Sequence, residues 1–151
     1  MNDVVLKELC LADGLSGYEK EVTRVKKKYM APCVDEIRYD NLGSLVAYKK
    51  GSEPLKVLLT GHVDEIGMVV RSIDEKGYVH PHQLGTLFAH SLGAQEVTLT
   101  TREGKKLKGI IGTHAKDPQF QLNKDTIPVQ DQIVDIGVYS KKDLEDLGVR
   151  I

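Results

Sequence analysis

His62 and Asp64 stand two residues apart in Gly61-His62-Val63-Asp64-Glu65-Ile66-Gly67, directly after the apolar run Val57-Leu58-Leu59-Thr60. In an extended segment, residues i and i+2 leave from the same face, so the imidazole and the carboxylate can lie side by side while Val63 turns the other way into packing. That is the arrangement of a metal ligand with its supporting carboxylate. Imidazole is a common zinc ligand, and the group that holds its other ring nitrogen fixes the tautomer and raises the basicity of the coordinating one. The same triplet fits a blander reading, a histidine and an aspartate that pair at a strand terminus and do no chemistry. Gly61 and Gly67 bracket the segment, and glycine suits backbone that must approach a ligand or turn sharply.

The elements that would carry this pair read as follows. Val4, Val5, Leu9 and Ala12 recur at helical spacing over residues 3–12, with Gly14 as the stop. Ser16, with Glu19 three residues on, has the form of a capping box for a second helix whose inward stripe is Val22, Val25 and Tyr29 and which Pro32 ends. The basic run at residues 24–28 on that helix reads as a solvated face. Residues 34–40 and 44–49 alternate apolar and polar side chains around Asp40-Asn41-Leu42-Gly43, a hairpin signal. Residues 55–60 are more uniformly apolar, as expected of a strand buried on both faces of a sheet. The Lys- and Pro-containing residues 49–54 between them read as a surface loop.

After about Arg71 the character shifts. A strand, a turn around Glu75-Lys76-Gly77 and a returning strand are followed by short strand patterns at residues 95–101 and 106–112, separated by turns such as Arg102-Glu103-Gly104-Lys105. Several short strands with turns between them suggest a small barrel or sandwich. Residues 116–130 are polar and Pro-containing, a loop signal. Ser140, with Asp143 three residues on, can cap a helix through Leu147 that Gly148 terminates.

The segment from Leu58 to Gly77 resembles the metal-dependent aminopeptidases that assemble into tetrahedral dodecamers, the glutamyl and deblocking aminopeptidases, some of which carry an endoglucanase or cellulase label. Leu15-Ser16-Gly17-Tyr18-Glu19, Tyr39-Asp40-Asn41-Leu42-Gly43-Ser44-Leu45, Gly109-Ile110-Ile111-Gly112, Val134-Asp135-Ile136-Gly137 and residues 140–149 fall in the family's order. The resemblance implies an α/β fold: residues 1–70 as the N-terminal portion of a metallopeptidase catalytic domain, and residues 71–151 as a β-rich inserted domain that mediates dimerisation and higher assembly. It implies hydrolysis of N-terminal residues from peptide substrates with two divalent ions, zinc or cobalt, and a homo-oligomer from dimer to dodecamer. Only His62 matches a metal ligand of the family, and Asp64 matches its supporting carboxylate in the catalytic centre. Glu65 has three open roles: near the substrate amine, near the assembly contact, or at an exposed strand end.

The family's bridging aspartate, catalytic glutamate, further carboxylates and second histidine all come from a longer C-terminal portion. One imidazole cannot hold a catalytic zinc, which normally takes about three protein ligands plus water. The expectation is therefore an N-terminal fragment that is inactive alone and holds no ion stably. The reading from a different class is a non-catalytic assembly or binding module derived from that family. A glycosidase ranks last, because it needs two carboxyl groups roughly 5 to 10 Å apart across a sugar cleft, whereas Asp64 and Glu65 are adjacent and on opposite faces.

Composition narrows the classes further. With 21 Lys and Arg against 22 Asp and Glu the formal charge is −1, so the basic excess of a nucleic-acid reader is missing. No apolar run approaches the roughly 20 residues of a membrane span, and the opening residues lack the form of a signal peptide, which points to a cytoplasmic protein. Cys10 and Cys33 have no CxxC spacing and read as reduced, semi-buried packing residues. The chain departs from the family pattern at Leu84-Gly85-Thr86-Leu87-Phe88 and at residues 113–118. His80, His82, His90 and His114 lie nearby, and His80-Pro81-His82 has a metal-like spacing but no accompanying cysteine or carboxylate cluster, so a surface or interface role is expected for it.

Overall fold

The computed structural model describes residues 3–113 and 127–151. The chain forms two compact units, Met1–Glu65 and Ile66–Ile151, in a mixed α/β architecture.

The first unit begins with α1 (Asp3–Leu11) and α2 (Lys20–Met30). Ala12 and Val22 are buried, each 7% exposed, which puts the small inner surface of this unit at the corner between the helices. The expected Ser16 cap does not form. Gly17 takes φ +84°, a left-handed conformation incompatible with a helix starting at Ser16, and the Tyr18 amide donates to Leu15 O at 2.7 Å to close a turn. The Glu19 carboxylate accepts from the Gly17 amide at 2.7 Å, so it braces the turn, and α2 starts one residue later. Pro32 sits in a short 3₁₀ turn, Ala31–Cys33, directly after α2; its missing N–H and fixed ring end the helix as expected.

Strands β1 (Glu36–Tyr39) and β2 (Leu45–Tyr48) pair antiparallel, Tyr39 opposite Leu45. The connection is built by Asp40, whose Oδ1 accepts from the Leu42 and Ser44 amides at 2.9 and 2.8 Å, and by Gly43 at φ +90°. These bonds, with Ser44 foremost, hold the Asp40 carboxyl below its ordinary titration range. Residues 55–60, expected as a strand buried on both faces, are neither: no ladder forms there, and Leu55, Val57, Leu58 and Leu59 are 75–90% exposed. A strand exists only where neighbouring backbone accepts its hydrogen bonds, and the described residues supply none for this run. Cys10 and Cys33 are free and exposed, not semi-buried.

The second unit is a five-stranded antiparallel sheet of β3 (Gly67–Ile73), β4 (Val79–Leu84), β5 (Glu96–Thr100), β6 (Lys106–Thr113) and β7 (Gln132–Asp135), in the order β3-β4-β7-β6-β5. The β3–β4 turn is closed by Asp74, whose Oδ1 accepts from the Lys76 and Tyr78 amides, both at 3.0 Å. β7 had no strand signal of its own: its first three residues are all buried, and a strand of four residues covered on both faces shows no alternation. Helix α3 (Lys141–Asp146) is capped as expected, the Ser140 hydroxyl accepting from the Asp143 amide at 3.1 Å, and Gly148 follows at φ +91°. α3 contributes Leu144, 0% exposed, to a core with Ile73, Val79, Ile111, Val134 and Val149.

Candidate functional site

His62 and Asp64 are brought together. The His62 Nδ1 lies 3.1 Å from Asp64 Oδ1 and 3.1 Å from the Asp64 backbone oxygen. With its proton on Nδ1, the imidazole donates to Asp64 and leaves Nε2 as a lone-pair donor, the division of labour that suits a metal ligand. The His62 side chain is 86% exposed and that of Asp64 40%, so the free nitrogen is open to an incoming ion.

The segment that carries the pair belongs to no strand. It is attached to the helical corner at Gly14. The Glu65 amide donates to Gly14 O at 2.8 Å, the Gly14 amide donates to Glu65 Oε1 at 3.1 Å, and Leu15 and Glu65 form an isolated parallel bridge. A Cβ on residue 14 would lie 3.1 Å from Val22 Cγ1 and 3.3 Å from Val63 O, tighter than most real contacts, so the approach depends on glycine. The sequence marks Gly14 only as a helix stop and leaves the role of Glu65 open. A glycine before a turn and a carboxylate 51 residues away give no local pattern that joins them.

The donor set fits one metal bond, not a complete centre. Among the described residues there is no group of three or more His, Cys, Asp and Glu side chains placed to hold an ion. The histidines of the second unit do not supply one. His80 is half-buried, its Nε2 3.4 Å from Asp74 Oδ2; His82 is exposed on β4 opposite Val69; His90 is exposed, its ring 6.0 Å from that of Phe88. His114 and most of the expected 116–130 loop lie outside the described residues. No helix among the described residues is long and apolar enough to cross a membrane.

Comparison with known proteins converges on one group. Residues 43–151 match the family model of the M42 glutamyl aminopeptidases. FrvX of Escherichia coli K12, whose aminopeptidase name is itself provisional, is 37% identical over 100% of this chain and 42% of its own length. The crystal structure of a TET aminopeptidase from a marine sediment thaumarchaeon superposes with a TM-score of 0.89 at 35% identity, covering 99% of this chain and 42% of that one. The TET1 peptidase of Pyrococcus horikoshii, which can assemble into a tetrahedron or a large octahedral shell, superposes at 0.83 with 28% identity, over 98% of this chain and 44% of its own. The chain thus spans about two fifths of the length of the relatives it matches.

Proposed function

Because the chain belongs to the M42 glutamyl aminopeptidase family, we propose that its residues form the N-terminal part of a metal-dependent aminopeptidase that removes N-terminal residues from peptides. The observation that carries this reading is the His62–Asp64 pair, with Nδ1 held at 3.1 Å and the ring 86% exposed. His62 would hold one ion through Nε2. Asp64 keeps the proton on Nδ1 and fixes the plane of the ring. When bound, two divalent ions, zinc or cobalt, would supply the polarising charge that peptide-bond hydrolysis requires. A catalytic ion normally takes about three protein ligands, so the other donors and the general base come from residues other than those described here.

In the complete enzyme, His62→Ala should abolish binding of one ion, read by metal analysis of the purified protein. Full occupancy with unchanged turnover in that variant would refute the assignment. The 151 residues alone should show no peptidase activity; hydrolysis of aminoacyl-p-nitroanilides by the pure chain with added zinc or cobalt would overturn that part of the reading.

The proposal extends to organisation: residues 1–70 serve the catalytic domain, and residues 71–151 serve dimerisation and assembly in a cytoplasmic homo-oligomer. The assembly of the Pyrococcus relative into closed shells supports this. So do Phe88, Ile110 and Tyr139, which are apolar and 48–94% exposed in the second unit. A native-mass measurement reads the oligomer directly. The second reading, a non-catalytic module, draws on the self-contained core of the second unit; it predicts assembly without any metal-dependent turnover.

A further inference from the structure

We propose that Glu65 is a positioning residue that holds the His62–Asp64 pair on the helical corner by a two-point clamp to Gly14. The inference rests on the reading of His62 as a metal ligand. Residues 55–64 form no strand or helix, and His62 and Asp64 are both attached to backbone that would be free to pivot. One backbone bond, Glu65 N–H to Gly14 O at 2.8 Å, acts as a hinge; the second, Gly14 N–H to Glu65 Oε1 at 3.1 Å, removes the rotation about it.

The anchor itself is braced. The Val22 amide donates to Asp13 O at 3.3 Å, the Tyr18 amide donates to Leu15 O at 2.7 Å, and the Gly17 amide donates to the Glu19 carboxylate at 2.7 Å. Val22, 7% exposed, packs beneath Gly14, whose missing Cβ leaves room for Val63 O. A continuous path of contacts therefore runs from the buried Val22 through Gly14 and Glu65 to the segment that presents the imidazole. Nothing in the known chemistry of a metal ligand and its supporting carboxylate calls for this third residue. Its place follows from the absence of a ladder to hold the segment.

The test uses the complete enzyme, with zinc affinity measured against a competing chelator and amide exchange followed at Gly14. Glu65→Ala should weaken zinc binding about tenfold or more, the usual effect of losing a group that orients a ligand, and should speed exchange at Gly14. Glu65→Gln keeps an Oε1 acceptor and should restore both readouts to within about threefold of wild type, which a charge effect on the ion would not do. Gly14→Ala, with Glu65 intact, should reproduce the affinity loss by pushing Val63 O away, which keeps the inference testable if Glu65→Ala misfolds. Unchanged affinity in Glu65→Ala, or a Glu65→Gln variant as weak as Glu65→Ala, would overturn the clamp while zinc loss in His62→Ala upheld the ligand. Zinc retained at full affinity in His62→Ala would overturn the underlying reading and the inference with it.

Discussion

The two units bury apolar surface very differently. Ile66–Ile151 closes a core in which Val79, Ile111, Leu144 and Val149 are each at most 2% exposed. In Met1–Glu65 the buried apolar side chains among the described residues are Ala12 and Val22, while Leu55, Val57, Leu58 and Leu59 stand 75–90% exposed in one run. Both units are rich in apolar residues, so composition does not separate them. The difference lies in partners: β7 is flanked by β4 and β6, whereas residues 55–59 have no neighbouring strand among the described residues. Contiguous exposed apolar surface marks a place where something else docks.

The comparison breaks most visibly if the second core is less closed than it looks. Leu144→Ala removes a side chain that is 0% exposed and should cost about 2–5 kcal/mol, read as a lower midpoint in a guanidinium melt. A loss below about 1 kcal/mol would mean that the second unit does not depend on this core.

A second, smaller effect probes the strand packing beside that core. A Cβ on Gly109 of β6 would lie 2.6 Å from Ile136 Cδ1, 2.7 Å from Val134 Cγ1 and 3.0 Å from Asp135 O. The Ile136 tip can move, but a backbone oxygen on the adjacent strand cannot do so without disturbing the ladder. Gly109→Ala should therefore destabilise by about 1–3 kcal/mol, again measured by denaturant. A neutral result would show that β7 is free to shift away from β6.

The first unit has less burial to rely on, so its exposed ties matter more in proportion. Lys28 Nζ pairs with Glu8 across α1 and α2 at 2.8 Å. The bond with Lys28 holds the Glu8 carboxyl below its ordinary 4.5, and the bond with Glu8 holds the Lys28 amine above its ordinary 10.5. The contribution of Glu8 is thus present above 4.5 and lost as pH falls through the lower folded value. That of Lys28 is present below 10.5 and lost as pH rises through the higher folded value. Melting temperatures of wild type and Glu8→Gln should differ modestly at neutral pH and converge in acid; added salt should shrink the gap. A gap that grew on acidification would reverse the sign.

Local signals carried much of this architecture. Asp40 and Gly43 announced the β1–β2 hairpin, Gly77 the β3–β4 turn, and Ser140 with Gly148 the limits of α3, because each needs only its immediate neighbours to act. Most failures involve distant partners; the Ser16 cap is the exception, lost to the left-handed Gly17 beside it. The run at 55–60 looked like a buried strand because apolar content reports a preference for burial, not the presence of a neighbour to provide it. β7 was hidden because burial on both faces erases alternation. At the site, the closeness of His62 and Asp64 was legible from their spacing. The Glu65–Gly14 clamp was not, since its partners are 51 residues apart.

The smallest expected effect is also the sharpest contrast with Leu144. Leu58 is 86% exposed, so Leu58→Ser removes little buried surface from this chain and should change its unfolding free energy by less than about 0.5 kcal/mol. The same substitution should raise the concentration at which the chain self-associates, because it interrupts the exposed apolar run. On the proposed function the order should invert in a longer enzyme: if further polypeptide covers the run there, Leu58→Ser becomes a core substitution and should destabilise by an amount comparable to Leu144→Ala. Equal, negligible effects in both contexts would mean that nothing covers residues 55–59.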